Sequence, residues 1–129
     1  MLQIPKALLE KRINKETLHR SGKRLLKEVA CHLGFVEEAY SIHSNKGGDG
    51  VMGEVILHSD HLYLMVHIAS GGVLRVLYRT CQGRKDYSGG TNMYVSVNDL
   101  ASTTAAERFI GKLKTLNDLG KREASHRAA

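Results

Sequence analysis

Three of the seven histidines, His58, His61 and His67, fall within ten positions of one another, with Asp60 between the first two. Imidazole and carboxylate in such a cluster are the residue types of a zinc site, which needs three or four convergent ligands. Strand periodicity decides against it. His58 and His61 can face each other across a turn, but His67 stands six residues further along its strand, about 20 Å away at strand rise. No metal is expected. Cys31 and Cys81 show neither Cys-x-x-Cys nor Cys/His ligand spacing, so free thiols in a reducing compartment are expected, with a single disulfide as the alternative.

Catalytic signatures are equally thin. The chain has no Gly-x-Ser-x-Gly elbow and no Cys/His signature that would activate a nucleophile. Paired carboxylates for acid–base work are missing too, since Glu54 is the lone acid among the outward residues of the strands described below. Gly47-Gly48-Asp49-Gly50 invites a phosphate-loop reading, but it precedes a strand and lacks the Gly-Lys-Ser/Thr ending. Its glycines suit a connector with demanding turn geometry. We expect no catalytic residues, no cofactor and no enzyme.

What remains is the chemistry of binding. Tyr63 and Tyr94 offer rings on which bases can stack, and Arg75, Arg79 and the loop pair Arg84-Lys85 offer cations for phosphate, with His67 among them. A second group, Arg20, Lys23, Arg24 and Lys27, forms a stripe on one helix, into which Glu16 and Glu28 reach at four-residue spacing. The net charge of +6 follows the same division. Residues 1–33 hold eight Lys/Arg against three acids, residues 34–106 five against seven, and residues 107–129 six against three. Basic ends around a near-neutral centre attract polyanions such as nucleic acid, or an acidic protein surface.

The elements that must position these residues follow from periodicity. From Val51 to Val97 apolar and polar residues alternate with a period near two, as half-buried antiparallel strands require. Val51–His58 and His61–Ile68 flank a two-residue turn at Ser59-Asp60, which sets His58 opposite His61, Leu57 opposite Leu62 and Val55 opposite Leu64. Val73–Thr80 follows, in the register Ile68–Leu74, Val66–Val76 and Leu64–Tyr78, which keeps one aliphatic face continuous. After the loop 82–90, Thr91–Val97 turns Met93, Val95 and Val97 to that face. The opposite face carries Glu54, Ile56, Met65, Leu77 and the candidate Tyr, His and Arg residues, a mixture that suits a partner site or a covering segment.

Helical signals stand on both sides. Ile4–Ile13 suits a short helix with Pro5 in its first turn; Asn14 caps a longer one that runs from Lys15 to a stop at Leu33-Gly34. Residues 35–50 begin amphipathic and end as a flexible loop. Thr104 with Glu107 has capping-box spacing ahead of Ala106, Phe109, Ile110, Leu113 and Leu116, and Gly120 reads as the stop. The predicted fold is α+β: a four-stranded antiparallel meander between basic N-terminal helices and a C-terminal helix, as a two-layer sandwich. One domain spans 1–129, with 1–13 and 121–129 as ends that fray.

Composition bounds the setting. At 42% hydrophobic and 25% charged, the chain has the make-up of a globular domain, and with 5% aromatics and no Trp its core must be mainly aliphatic. The apolar run near the N-terminus is too short for a secretory segment and no eighteen apolar residues occur together, so a cytoplasmic location without membrane contact is expected. The order of elements differs from the interleaved four-stranded RNA-binding fold and from the three-stranded double-stranded-RNA-binding domain. Two functions are therefore expected of such a chain: nucleic-acid binding through the outer sheet face and the basic helices, or occlusion of an acidic or nucleic-acid-binding protein surface, as inhibitors, adaptors and immunity factors do.

Overall fold

The computed structural model describes residues 2–87 and 89–128; Met1, Ser88 and Ala129, which belong to the ends and the loop named above, lie outside the described residues. Helix α1 (Lys15–His32) begins where expected, because the Asn14 side chain accepts from the Thr17 amide at 2.8 Å. It ends in a Schellman motif: Phe35 N–H reaches Ala30 C=O at 3.0 Å, and Gly34 supplies the left-handed residue at φ 76°. The helix expected over Ile4–Ile13 is reduced to a single 3-10 turn, Lys6–Leu9, which leads into extended backbone at Glu10. Only Leu8 of this segment is buried, too little packing to hold a short helix against its nucleation cost.

The sheet has five strands rather than four: β1 (Tyr40–Asn45), β2 (Glu54–Ser59), β3 (Leu62–Ile68), β4 (Leu74–Thr80) and β5 (Met93–Ser96), each antiparallel to the next in chain order. The additional strand is β1. Its inward positions are Tyr40, Ile42 and Ser44, so only two apolar residues mark it in the sequence, and an edge strand with one neighbour needs no more.

The β2–β3 hairpin also departs from expectation. Its turn is Asp60-His61, because Ser59 Oγ accepts from Leu62 N–H at 3.1 Å and lies 3.3 Å from Leu62 C=O, to which it donates. The register slips by two: Leu57 faces Leu64, Val55 faces Val66 and His58 faces Tyr63 instead of His61. A slip of two keeps every side chain on its assigned face. Between β3 and β4 the pairs Ile68–Leu74, Val66–Val76 and Leu64–Tyr78 form as predicted.

Helix α2 (Thr103–Ala128) corrects two expectations. Its cap is Ser102, whose hydroxyl accepts from Ala105 N–H at 3.2 Å, because a 3-10 turn at Asn98–Ala101 buries Leu100 and brings the chain in earlier. It also runs through Gly120 to Ala128 instead of stopping. Gly120 is buried against the β2–β3 turn, where a Cβ would lie 2.8 Å from His61 Cβ and 3.0 Å from His61 O. The glycine is there for close approach, not for termination.

Both helices pack on the same aliphatic face. Leu18, Leu25, Leu26 and Val29 of α1 and Phe109, Ile110 and Leu113 of α2 join Val55, Leu57, Leu64, Val66, Val76 and Tyr78 in one core. The α1 helix lies over β1 to β3, and α2 over β3 and β4, with Phe109 meeting Tyr78 edge-on at 5.2 Å between centroids. The two glycines of α2 give opposite expectations. Gly120→Ala should lower stability by about 1–3 kcal/mol in urea unfolding through overpacking. Gly111→Ala, where a Cβ meets nothing within 4 Å, should raise it by about 1 kcal/mol. Stabilisation by both would mean that α2 does not press on His61.

Candidate functional site

The face of the sheet away from the helices is ordered in rows set by the registers. The first row, running β1 to β5, is Asn45, Glu54, His67, Arg75 and Ser96; the second is His43, Ile56, Met65, Leu77 and Tyr94; the third is Ser41, His58, Tyr63 and Arg79. Alternation sends all of them to one side.

The first row is polar and internally bonded. Asn45 Nδ2 donates to Glu54 Oε1 at 2.6 Å, and Arg75 Nε donates to His67 Nε2 at 3.1 Å while its guanidinium lies 3.9 Å above the Tyr94 ring. Accepting at Nε2 requires a neutral His67. Burial and then the Arg75 cation push its pKa below the ordinary 6.5, in keeping with that role. The second row is the apolar centre, where Ile56 and Leu77 pack with Tyr63, Cys81 and the half-buried Met65.

The third row is closed over by the loop between β4 and β5. Asp86 organises this loop, its two carboxylate oxygens accepting from Gln82 N–H and Gly89 N–H at 2.9 Å each. Arg79, 3% exposed, stacks 4.1 Å above Tyr63 and donates to Gly89 C=O. Arg84 ties the loop down, pairing with Asp60 at 3.4 Å and donating to Glu38 C=O. Tyr87 sets its ring edge-on to His58 at 5.0 Å and to Tyr63 at 6.1 Å. The loop is a clasp.

The candidate residues are therefore divided. Tyr63 and Arg79 lie beneath the clasp and Arg84 is part of its tether, so stacking and cation are spent on each other inside the fold. Lys85 is exposed, Tyr94 is 46% exposed, and Arg75 and His67 are half-buried beside it. Arg20, Lys23, Arg24 and Lys27 are exposed on α1, on the other side of the sheet. Arg20 pairs with Glu16 at 3.9 Å, an exposed contact of small worth, while Glu28 pairs with His32 at 3.5 Å rather than with Arg24.

Sequence reasoning left α2 out of the candidate set, although the positive C-terminal balance pointed to it. Arg108, Lys112, Lys114, Lys121 and Arg122 are exposed along it. The two helices together hold eleven Lys/Arg and five acids, and the rest of the chain eight of each, so the whole net charge of +6 belongs to α1 and α2. His43 and Asn45 were missed with β1, and Tyr87 because nothing local marks a loop residue that folds back.

Cys31 is exposed and Cys81 buried, both as free thiols. Burial pushes the Cys81 thiol up, and it donates to Ser59 C=O at 3.3 Å. Among the described residues, no three His, Cys, Asp or Glu side chains gather as a metal site would require, and no helix is long and apolar enough to cross a membrane.

His58 is 3% exposed on this face. Neither ring nitrogen makes a well-formed hydrogen bond among the described residues, although the backbone of Gly83 and Asp86 approaches the ring. Burial, and then the Arg79 cation, push its pKa below 6.5 against the opposing pull of Asp86. A folded pKa below the unfolded one means that the unfolded chain binds more protons, so stability is complete above about pH 6.5 and falls as the pH drops below it. His67 acts in the same direction. Unfolding free energies from urea should be flat from about pH 6.5 to about pH 8 and decline below that range, by at most about 1.4 kcal/mol per pH unit for each histidine. His58→Phe should remove part of the decline; an unchanged profile would show that His58 titrates as in the unfolded chain.

No protein-family model matches the chain, and neither the curated proteins nor the solved structures compared with it give a significant match. The functional reading rests on the geometry.

Proposed function

We propose that the protein binds rather than catalyses, and that it holds nucleic acid against the exposed faces of α1 and α2. The observation that carries this reading is the segregation of charge: both helices turn their apolar sides to the same face of the sheet, and between them they contain the whole net charge. In the two-layer arrangement assumed here, Arg20, Lys23, Arg24 and Lys27 form one arm of a cationic surface, and Arg108, Lys112 and Lys121 the other. Such a surface neutralises phosphates and releases their counterions. Among the described residues its exposed helix positions carry no Phe or Tyr, so contact falls mainly on the backbone and gives little base readout. A cytoplasmic setting, where thiols stay reduced, suits free Cys31 and Cys81.

A second reading is favoured by one observation. The outer sheet face, unlike the helices, carries Glu54 and Arg75 in one row with His67 between them and exposes Tyr94 beside apolar neighbours, as a protein-docking surface of the inhibitor, adaptor or immunity type does.

Fluorescence anisotropy with labelled duplex and single strand, starting at about 50 mM salt, separates the two readings. Affinity should fall with salt by a log–log slope of roughly 0.9 per duplex phosphate contact, or 0.7 for a single strand. Replacing Arg20, Lys23, Arg24 and Lys27 by Ala should reduce the duplex slope by up to roughly 3.6. Absence of binding to both, with one discrete protein recovered from nuclease-treated extract, would install the occlusion reading instead.

A further inference from the structure

We propose that the free edge of β1 is a self-association surface, along which a second copy of this chain adds its own β1 antiparallel to the first and joins the two sheets into one. The hydrogen-bonding parity of the sheet points to it. Cys81 N–H donates to His61 C=O at 3.1 Å and Ala69 N–H to Val73 C=O at 2.8 Å, so the odd-numbered residues of β3 turn their backbone groups to β4. Even-numbered residues of β3 then bond to β2, and the registers pass the alternation on. Ser41, His43 and Asn45 spend their N–H and C=O groups on His58, Ile56 and Glu54 of β2. Tyr40, Ile42 and Ser44 direct theirs away from the sheet, and among the described residues no other segment takes them up.

These three residues complement themselves. With Ile42 opposite Ile42 on a two-fold axis, Tyr40 of each copy stands opposite Ser44 of the other, and each such pair exchanges two main-chain hydrogen bonds. Moving the axis to Ser41 or His43 would leave one of the three residues unpaired on each copy. Equal parity keeps every side chain on its own face. Half-buried Ile42 is covered on the helix side by its symmetry mate, and Ser41 meets His43 on the outer side.

The ends of the strand select a copy of this chain as the occupant. Exposed Glu37 and Glu38 lead into β1 and exposed Lys46 follows it, and among the described residues none of the three takes part in an ion pair. Antiparallel pairing brings the acidic start of each copy to the basic end of the other. Val36 and Val51, 65% and 51% exposed, gather at the same ends, Val51 because it lies against Gly47 just past the strand. The edge is also unguarded: β1 has no Pro, Lys or Arg and pairs with β2 without a bulge. The opposite edge differs, since the same parity leaves only Tyr94 and Ser96 of β5 facing out. Helix α1 leaves room, because it presses on the sheet at Gly22 over Val55 of β2 and Val66 of β3, inboard of the seam. A seam of six residues, roughly 20 Å long, falls short of the roughly 800 Å² per partner of a standard interface, so the dimer is weak and depends on concentration.

Sedimentation of the full chain without nucleic acid tests this from about 10 µM to about 500 µM, at about 0.15 M salt to screen the helix cations of the two copies from one another. The mass should rise toward two chains and go no further. Amide exchange locates the seam. Ile42 and Ser44 N–H should exchange freely in the single chain and slow in proportion to the dimer formed, while Ser41 and His43, bonded to β2 in either state, should not change. Ser44→Pro removes a free N–H and no bond of the ladder to β2, so it should hold the mass at one chain with the circular dichroism unchanged. A wild-type chain that stays monomeric throughout overturns the proposal, whether or not a different protein takes the edge. So does a dimer in which the Ile42 and Ser44 amides exchange as in the single chain, or one that a folded Ser44→Pro chain still forms. The helical cations are unaltered in every sample, so none of these outcomes bears on the nucleic-acid reading.

Discussion

Everything in this molecule depends on how closely two helices approach one face of the sheet. The α1 helix comes in over Gly22, where an added Cβ would stand 3.2 Å from Val55 Cγ2 and 3.5 Å from Val66 Cγ1. The α2 helix closes at Gly120 against the backbone of His61. Glycine inside a helix costs about 1 kcal/mol relative to alanine. Here that cost is offset by the burial it permits, because Leu18, Leu25, Leu26, Phe109 and Leu113 can then reach the strands. The contact at Gly120 also seats α2 against the β2–β3 turn.

Sealing one face with helices leaves the other to a different solution. Ile56 and Leu77 are shielded by their neighbours in the second row, and His58, Tyr63 and Arg79 by a loop with little regular structure of its own. Among its described residues that loop is held by specific polar contacts: Asp86 takes two backbone amides, Arg79 one carbonyl, and Arg84 a carboxylate and a carbonyl. The result is a sheet face in which one end is closed and the other carries complementary charges.

The same division orders the electrostatics. Cations on the helices stay in solvent, where they act over a Debye length and favour a polyanion. Arg79 and Arg75 lie on the opposite side, each stacked on a tyrosine and each lowering the pKa of a histidine beside it. Their chemistry is local. Neutral imidazoles are what allow two guanidinium groups to share a half-apolar face.

The sequence by itself determined the two helical faces, the α1 caps, the parity of every strand from β2 to β5 and the β3–β4 register. Each of these rests on side-chain spacing or a short-range hydrogen bond, as with Asn14 to Thr17. It also determined that positive charge gathers at the ends of the chain. Only the tertiary structure decided what depends on residues far apart. The edge strand β1 carries too weak an alternation to declare itself and exists because β2 offers it a partner. The hairpin slip turns on Ser59, and parity cannot reveal it because a shift of two leaves both faces unchanged. Gly120 looks like a stop until His61 stands against it. Tyr63, Arg79 and Arg84 look like an open binding set until the loop between β4 and β5 closes over them, a contact between segments that no local pattern encodes.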